Sequence, residues 1–119
     1  MSTEGVALLD EARSALDGSA AWGGAWQRAA AFLGRQALET AVGDVWSGSA
    51  TDLDECSMAA QLVCLPFYLE DVEAARRARQ CWYALSSACH AHPYELAPTV
   101  AELRSLLDDI GIFIEAVYG

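Results

Sequence analysis

A chain of 119 residues, 54% hydrophobic and 20% charged, can bury a core of its own but cannot build two, so residues 1–119 are expected to form one domain. Its 17 acidic residues outnumber 7 basic ones, and the resulting formal charge of -10 disfavours broad binding to nucleic-acid backbones. No apolar run approaches the roughly 18 residues of a membrane span, and the opening MSTEGVALLDEAR lacks the basic start and apolar run of an export signal, so a cytoplasmic location is expected.

The first periodic stretch runs from Glu4 to Leu16, with Val6, Leu9, Ala12 and Leu16 on one face and Asp17-Gly18 as the stop. Ser19 or Gly24 opens a long second helix carrying Trp22, Trp26, Ala30, Leu33, Ala37, Ala41 and Val45 at steps of three and four. The polar stretch after Trp46 reads as a linker, from which Thr51 or Asp52 is expected to cap a third helix through Met58, Leu62 and Leu65, bent or ended by Pro66. Val72, Ala75, Ala78, Trp82, Leu85 and Cys89 then mark the buried stripe of a fourth helix, opposite Arg76, Arg77, Gln80 and Ser87. Pro93 closes it, because the residue before a proline is pushed out of the α region. Thr99 and Glu102 form a capping box for a last helix whose face is Val100, Leu103, Leu107, Ile110, Ile114 and Val117, widened by Leu106 and Phe113. No strand alternation or internal repeat is present, so the expected fold is all-α, a five-helix up-and-down antiparallel bundle.

Four cysteines, Cys56, Cys64, Cys81 and Cys89, each fall in an apolar helical pattern and are expected to be structural thiols. No CxxC pair occurs, and the eight-residue steps within the two pairs turn about 80° around a helix, which does not converge two ligands. Neither a metal nor a cofactor is expected. The densest chemistry runs from Ser86 to Glu95 and holds both histidines; His92, His90 and Tyr94 are the candidate catalytic residues, since a neutral imidazole moves protons at physiological pH. A histidine in a last helical turn also serves simply as a partner of the helix dipole. The aromatic residues Trp22 and Trp26, one turn apart, are candidate interface positions together with Phe113, because aromatic enrichment marks interfaces more often than ligand cages.

Two segments, Arg28-Ala-Ala-Ala-Phe-Leu-Gly-Arg-Gln-Ala-Leu-Glu39 followed by Trp46, and Leu85 to Thr99, resemble small actinobacterial proteins of the HEPN class (higher eukaryote and prokaryote nucleotide-binding) and cover about a quarter of the chain. The resemblance implies a four- or five-helix bundle, a homodimer, and a cognate nucleotidyltransferase or antitoxin-type protein as partner. In that class a metal-independent ribonuclease uses an Arg followed four to six residues later by His. His92 occupies the place of that His, yet five positions before it stands Ser87, and no permitted spacing before His90 or His92 holds an Arg. Arg79 shares a face with His90 but lies about 16 Å back along the helix. The resemblance therefore implies a non-catalytic dimerisation or protein-interaction domain in a bacterial regulatory, toxin-antitoxin or defence setting. Its alternative is a ribonuclease in which His92 works with an arginine supplied from elsewhere.

Overall fold

A computed structural model describes residues 4–18, 25–90 and 98–118. Among them are five α-helices and no strand: α1 (Glu4–Asp17), α2 (Trp26–Ser47), α3 (Met58–Cys64), α4 (Val72–Cys89) and α5 (Val100–Tyr118). The ends of these helices follow from local chemistry. Asp71 Oδ1 accepts the Ala74 N–H at 3.0 Å and starts α4, as an N-cap carboxylate satisfies one of the four orphan donors of a first turn. The expected capping box opens α5: Thr99 Oγ1 accepts the Glu102 N–H at 3.1 Å, and Glu102 Oε1 accepts the Thr99 N–H at 3.4 Å.

The start of α3 is a correction. Thr51 and Asp52 do not cap it; Thr51 Oγ1 instead shares a hydrogen bond with Ser49 Oγ at 2.8 Å and leads into a separate 3-10 turn at Leu53–Glu55. The cap is Ser57, in extended backbone, whose hydroxyl accepts the Ala60 N–H at 3.2 Å. Ser57 stands directly before the apolar run of Met58, whereas Asp54, Glu55 and Cys56 are exposed and add nothing to a buried face. A cap works where the amphipathic stripe begins.

Cross-helix contacts set the direction of each element. Along α1 and α5, Leu9 lies against Gly111, Arg13 pairs with Asp108 at 3.3 Å, and Asp17 pairs with Arg104 at 3.2 Å, so one numbering rises as the other falls. Gly5 of α1 likewise meets Ala37 and Ala41 near the far end of α2. Arg77 and Cys81 of α4 reach Asp109 and Leu106 of α5, and Glu39 of α2 accepts the Trp82 indole N–H of α4 at 3.3 Å. Every neighbouring pair around the ring α1, α2, α4, α5 is therefore antiparallel. The parallel pair α2 and α5 closes the short diagonal, with Gly34 beside Leu107 and Asp44 hydrogen-bonded to Tyr118. Short α3 packs on α2 and α4 rather than spanning the bundle.

Gly34 makes that diagonal possible. A Cβ built there would stand 2.6 Å from Leu107 Cδ2, with Ile110 and Leu85 also in contact range, so the missing side chain is the space the leucines occupy. Leu38, Val42, Leu62, Leu85, Leu103, Leu107 and Ile110 fill the core around it.

Three positions depart from the periodic reading. Val6 is exposed because α1 turns Gly5 inward, where the α2 backbone comes closest. Val72 is exposed because it is the first residue of α4, while Ala74, Ala75 and Ala78 face the core. Phe113, expected at a subunit interface, is only 1% exposed and belongs to the core of its own chain. An apolar stripe shows which side of a helix is covered, not whether the cover comes from the same chain.

Candidate functional site

His90 sits at the C-cap of α4, exposed, its backbone N–H shared between the Ser86 and Ser87 carbonyls. The other candidates of that cluster, His92 and Tyr94, and the interface candidate Trp22 lie outside the described residues. Trp26 is the first residue of α2 and packs, half-buried, against the core.

The helix pairing brings to this end of α4 a group of residues from α2. Gly34 lies beside Leu85, so at 100° per residue the next positions, Arg35 and Ser86, turn to the same outer side of the α2–α4 contact at the same level. Arg28, Phe32 and Arg35 follow one another at steps of four and three along the α2 flank. On the α4 flank the matching stripe is Arg79, Tyr83, Ser86 and His90. The two stripes flank the outer side of the α2–α4 contact. Glu39 ties them together: one of its oxygens accepts the Trp82 indole N–H, and the other is ion-paired with Arg35 Nε at 3.7 Å. The Arg79 guanidinium lies 5.7 Å from the Tyr83 ring centroid, a cation–π distance, and Tyr83 meets Trp82 edge-on at 5.0 Å.

Positive charge is concentrated on two helices. Five of the seven arginines, Arg28, Arg35, Arg76, Arg77 and Arg79, lie on α2 and α4, in a chain whose total charge is -10. Among the described residues, Arg28 has no carboxylate within ion-pair distance. Ser86 Oγ is buried without a hydrogen-bond partner among the described residues, as are Trp46 Nε1 and Gln61 Oε1 elsewhere in the fold, while buried Arg35 Nε has only its ion pair with Glu39. Burial pushes the Cys89 thiol above its ordinary range, while the Arg35 and Arg28 charges pull it down and Glu39 opposes them. The same two arginines thus act at the helix end that carries His90.

A second feature is apolar. Phe67, in the 3-10 turn that follows α3, is 90% exposed, and Tyr68 and Val63 beside it are about half exposed. Tyr68 leans on Trp46 with ring centroids 5.0 Å apart, which anchors the corner to α2. No charged residue occurs from Met58 to Tyr68.

The thiols differ from one another more than their shared pattern implied. Cys56 is exposed, Cys64 and Cys89 are half-buried, and Cys81 alone is buried. Burial, followed by the charge and hydrogen bond of Asp109, pushes the Cys81 thiol up to about 12 against the weaker pull of Arg77. No group of three potential metal ligands occurs among the described residues.

Spacing along α4 alone does not find Arg28 and Arg35, because they stand on another helix. Their heptad spacing on α2 is legible in the sequence, but their place on the α4 side depends on the α2–α4 register. No family model, curated protein or solved structure matches this chain.

Proposed function

We propose that this domain is a HEPN-like helical module of the bacterial cytoplasm whose work is assembly: it forms a homodimer, or docks on a cognate nucleotidyltransferase or antitoxin-type protein. The observation that carries this reading is the corner after α3, where Phe67 is 90% exposed next to Tyr68 and Val63. A solvated phenylalanine beside a half-exposed tyrosine and valine is the kind of apolar patch that association surfaces carry. The uncharged run from Met58 to Tyr68 gives a second copy a place to approach with little like-charge repulsion, although each carries -10 overall. This corner replaces Phe113 as the interface position, and Trp26 remains beside the core at the start of α2. Ser87 at the motif position supports a non-catalytic role, since the phosphate-holding arginine of that motif is missing from α4.

Light scattering on the purified chain, run with an RNA-cleavage assay on the same peak, tests the proposal. A dimer that does not cleave RNA, and that becomes a monomer on Phe67→Glu, is the expected result. A wild-type monomer in the absence of any partner complex, or a dimer untouched by Phe67→Glu, would remove the corner as the interface. Cleavage lost on His92→Ala would replace the assembly reading with the ribonuclease.

A further inference from the structure

We infer that the groove between α1 and α5 docks a basic amphipathic helix of a partner protein. The contacts of Leu9 with Gly111 and of Arg13 with Asp108 run the two helices antiparallel and set two stripes along one side of their junction, Val6, Asp10 and Arg13 on α1 and Asp108, Ile112 and Glu115 on α5. Between the stripes lies a groove of about 380 Å³, floored by Leu9, Gly111 and Ile114. Gly111 is what opens it. A Cβ there would stand 3.7 Å from Leu9 Cδ2 and 3.1 Å from the Arg13 guanidinium, so a larger side chain would fill the space. The edges of the groove are apolar and in water, with Val6 41% and Ile112 48% exposed.

Chemistry selects the occupant. The apolar edges require an apolar stripe opposite them. The flanks of that stripe must be positive, because the carboxylates of Asp10, Asp108 and Glu115 line the groove against a single arginine, and Asp108 already holds that arginine at 3.3 Å. Among the described residues Asp10 and Glu115 have no cation within ion-pair distance. The occupant must also satisfy its own backbone, since the amides and carbonyls along α1 and α5 are bonded within their helices and offer no edge to an extended peptide. A helix laid between two helices, with Lys or Arg beside its apolar stripe, meets all three conditions. A second copy does not: it carries -10 itself and is repelled at this acidic groove, whereas the uncharged corner after α3 lets it approach. The groove shares no residue with that corner, so the failure of either surface leaves the other standing.

Fluorescence anisotropy of a labelled peptide about 18 residues long, with Leu at steps of three and four and Lys elsewhere, tests it on the full chain. Saturable binding that weakens with added salt is expected. A peptide of the same composition with its apolar stripe scrambled should bind about tenfold more weakly, the loss of one buried apolar anchor. Gly111→Leu, which fills the groove without changing its charge, and Ile112→Lys, which sets a like charge on its edge, should each cost a similar factor. Asp10→Asn with Glu115→Gln should weaken binding about threefold or more. Asp54→Asn with Glu55→Gln, the same loss of charge in the exposed turn before α3, should leave the affinity unchanged. No saturable binding, equal affinity for the scrambled peptide, an equal loss in the two double variants, or wild-type affinity in Ile112→Lys would overturn the assignment. So would self-association of the chain alone that Ile112→Lys abolishes, which would give the groove to a second copy. Ile112 is exposed, so its variant serves even if Gly111→Leu fails to fold.

Discussion

Helix α2 makes two contacts of opposite character. Toward α5 it presents Gly34 to Leu107 and Ile110, an apolar contact in which all three residues are buried. Toward α4 the same helix presents Glu39 to the Trp82 indole, with Arg35 ion-paired to Glu39 and Ser86 Oγ buried without a hydrogen-bond partner among the described residues. The first contact is what a framework requires. The second breaks the rule that buried polar groups are paired, and such breaks are where a fold gives up stability for a task. The lesson is that one helix can hold the bundle with one flank and offer chemistry with the next, about 100° away.

Substitutions should separate the two contacts. The largest loss is expected from Phe113→Ala in the core of α5, about 3–5 kcal/mol by urea denaturation, from lost burial plus the cavity left behind. Any dimer mass should persist in the fraction that still folds, since Phe113 is internal. Gly34→Val comes next, at about 1–3 kcal/mol, because its side chain would enter the space of Leu107; an unchanged urea midpoint would show that the diagonal is looser than its distances imply. A pH series probes the α4–α5 side. Folding raises the Cys81 thiol from its ordinary 9.0 to about 12, so the unfolded chain gives up its proton first. Stability from this group is therefore full below pH 9 and is lost as pH climbs toward about 12. Burial and the Asp44 hydrogen bond shift Tyr118 in the same direction. Cys81→Ala should flatten the decline, and thiol labelling at pH 8 should modify exposed Cys56 well before Cys81. The smallest effect belongs to the α4 flank that faces α2: Ser86→Ala should change stability by less than about 0.5 kcal/mol or raise it, because the hydroxyl it removes has no partner to lose. A large loss there would mean that this flank is framework after all.

Most of the architecture was legible in the chain. The apolar steps of α1, α2, α4 and α5, the Asp17-Gly18 stop and the Thr99–Glu102 box act within a few residues and survive tertiary packing. What was not legible depends on register between distant segments. Period alone cannot tell that Phe113 is covered by its own chain, that Ser57 rather than Thr51 begins α3, or that Arg28 comes level with His90. Phe67 is ambiguous for another reason: by composition an aromatic residue after Pro66 reads as core or interface alike, and only the turn of the chain at Leu65–Phe67 carries it outward. His92, Tyr94 and Trp22 lie outside the described residues, and the structure does not bear on them.

The claim that the chain assembles through the corner after α3 is met most directly by amide hydrogen exchange at protein concentrations on either side of assembly. The account predicts that protection gained with concentration concentrates at residues 63–69, while α1 and α5 exchange alike in both states. Protection gained instead around Trp26, or no dependence on concentration at any amide, would contradict it.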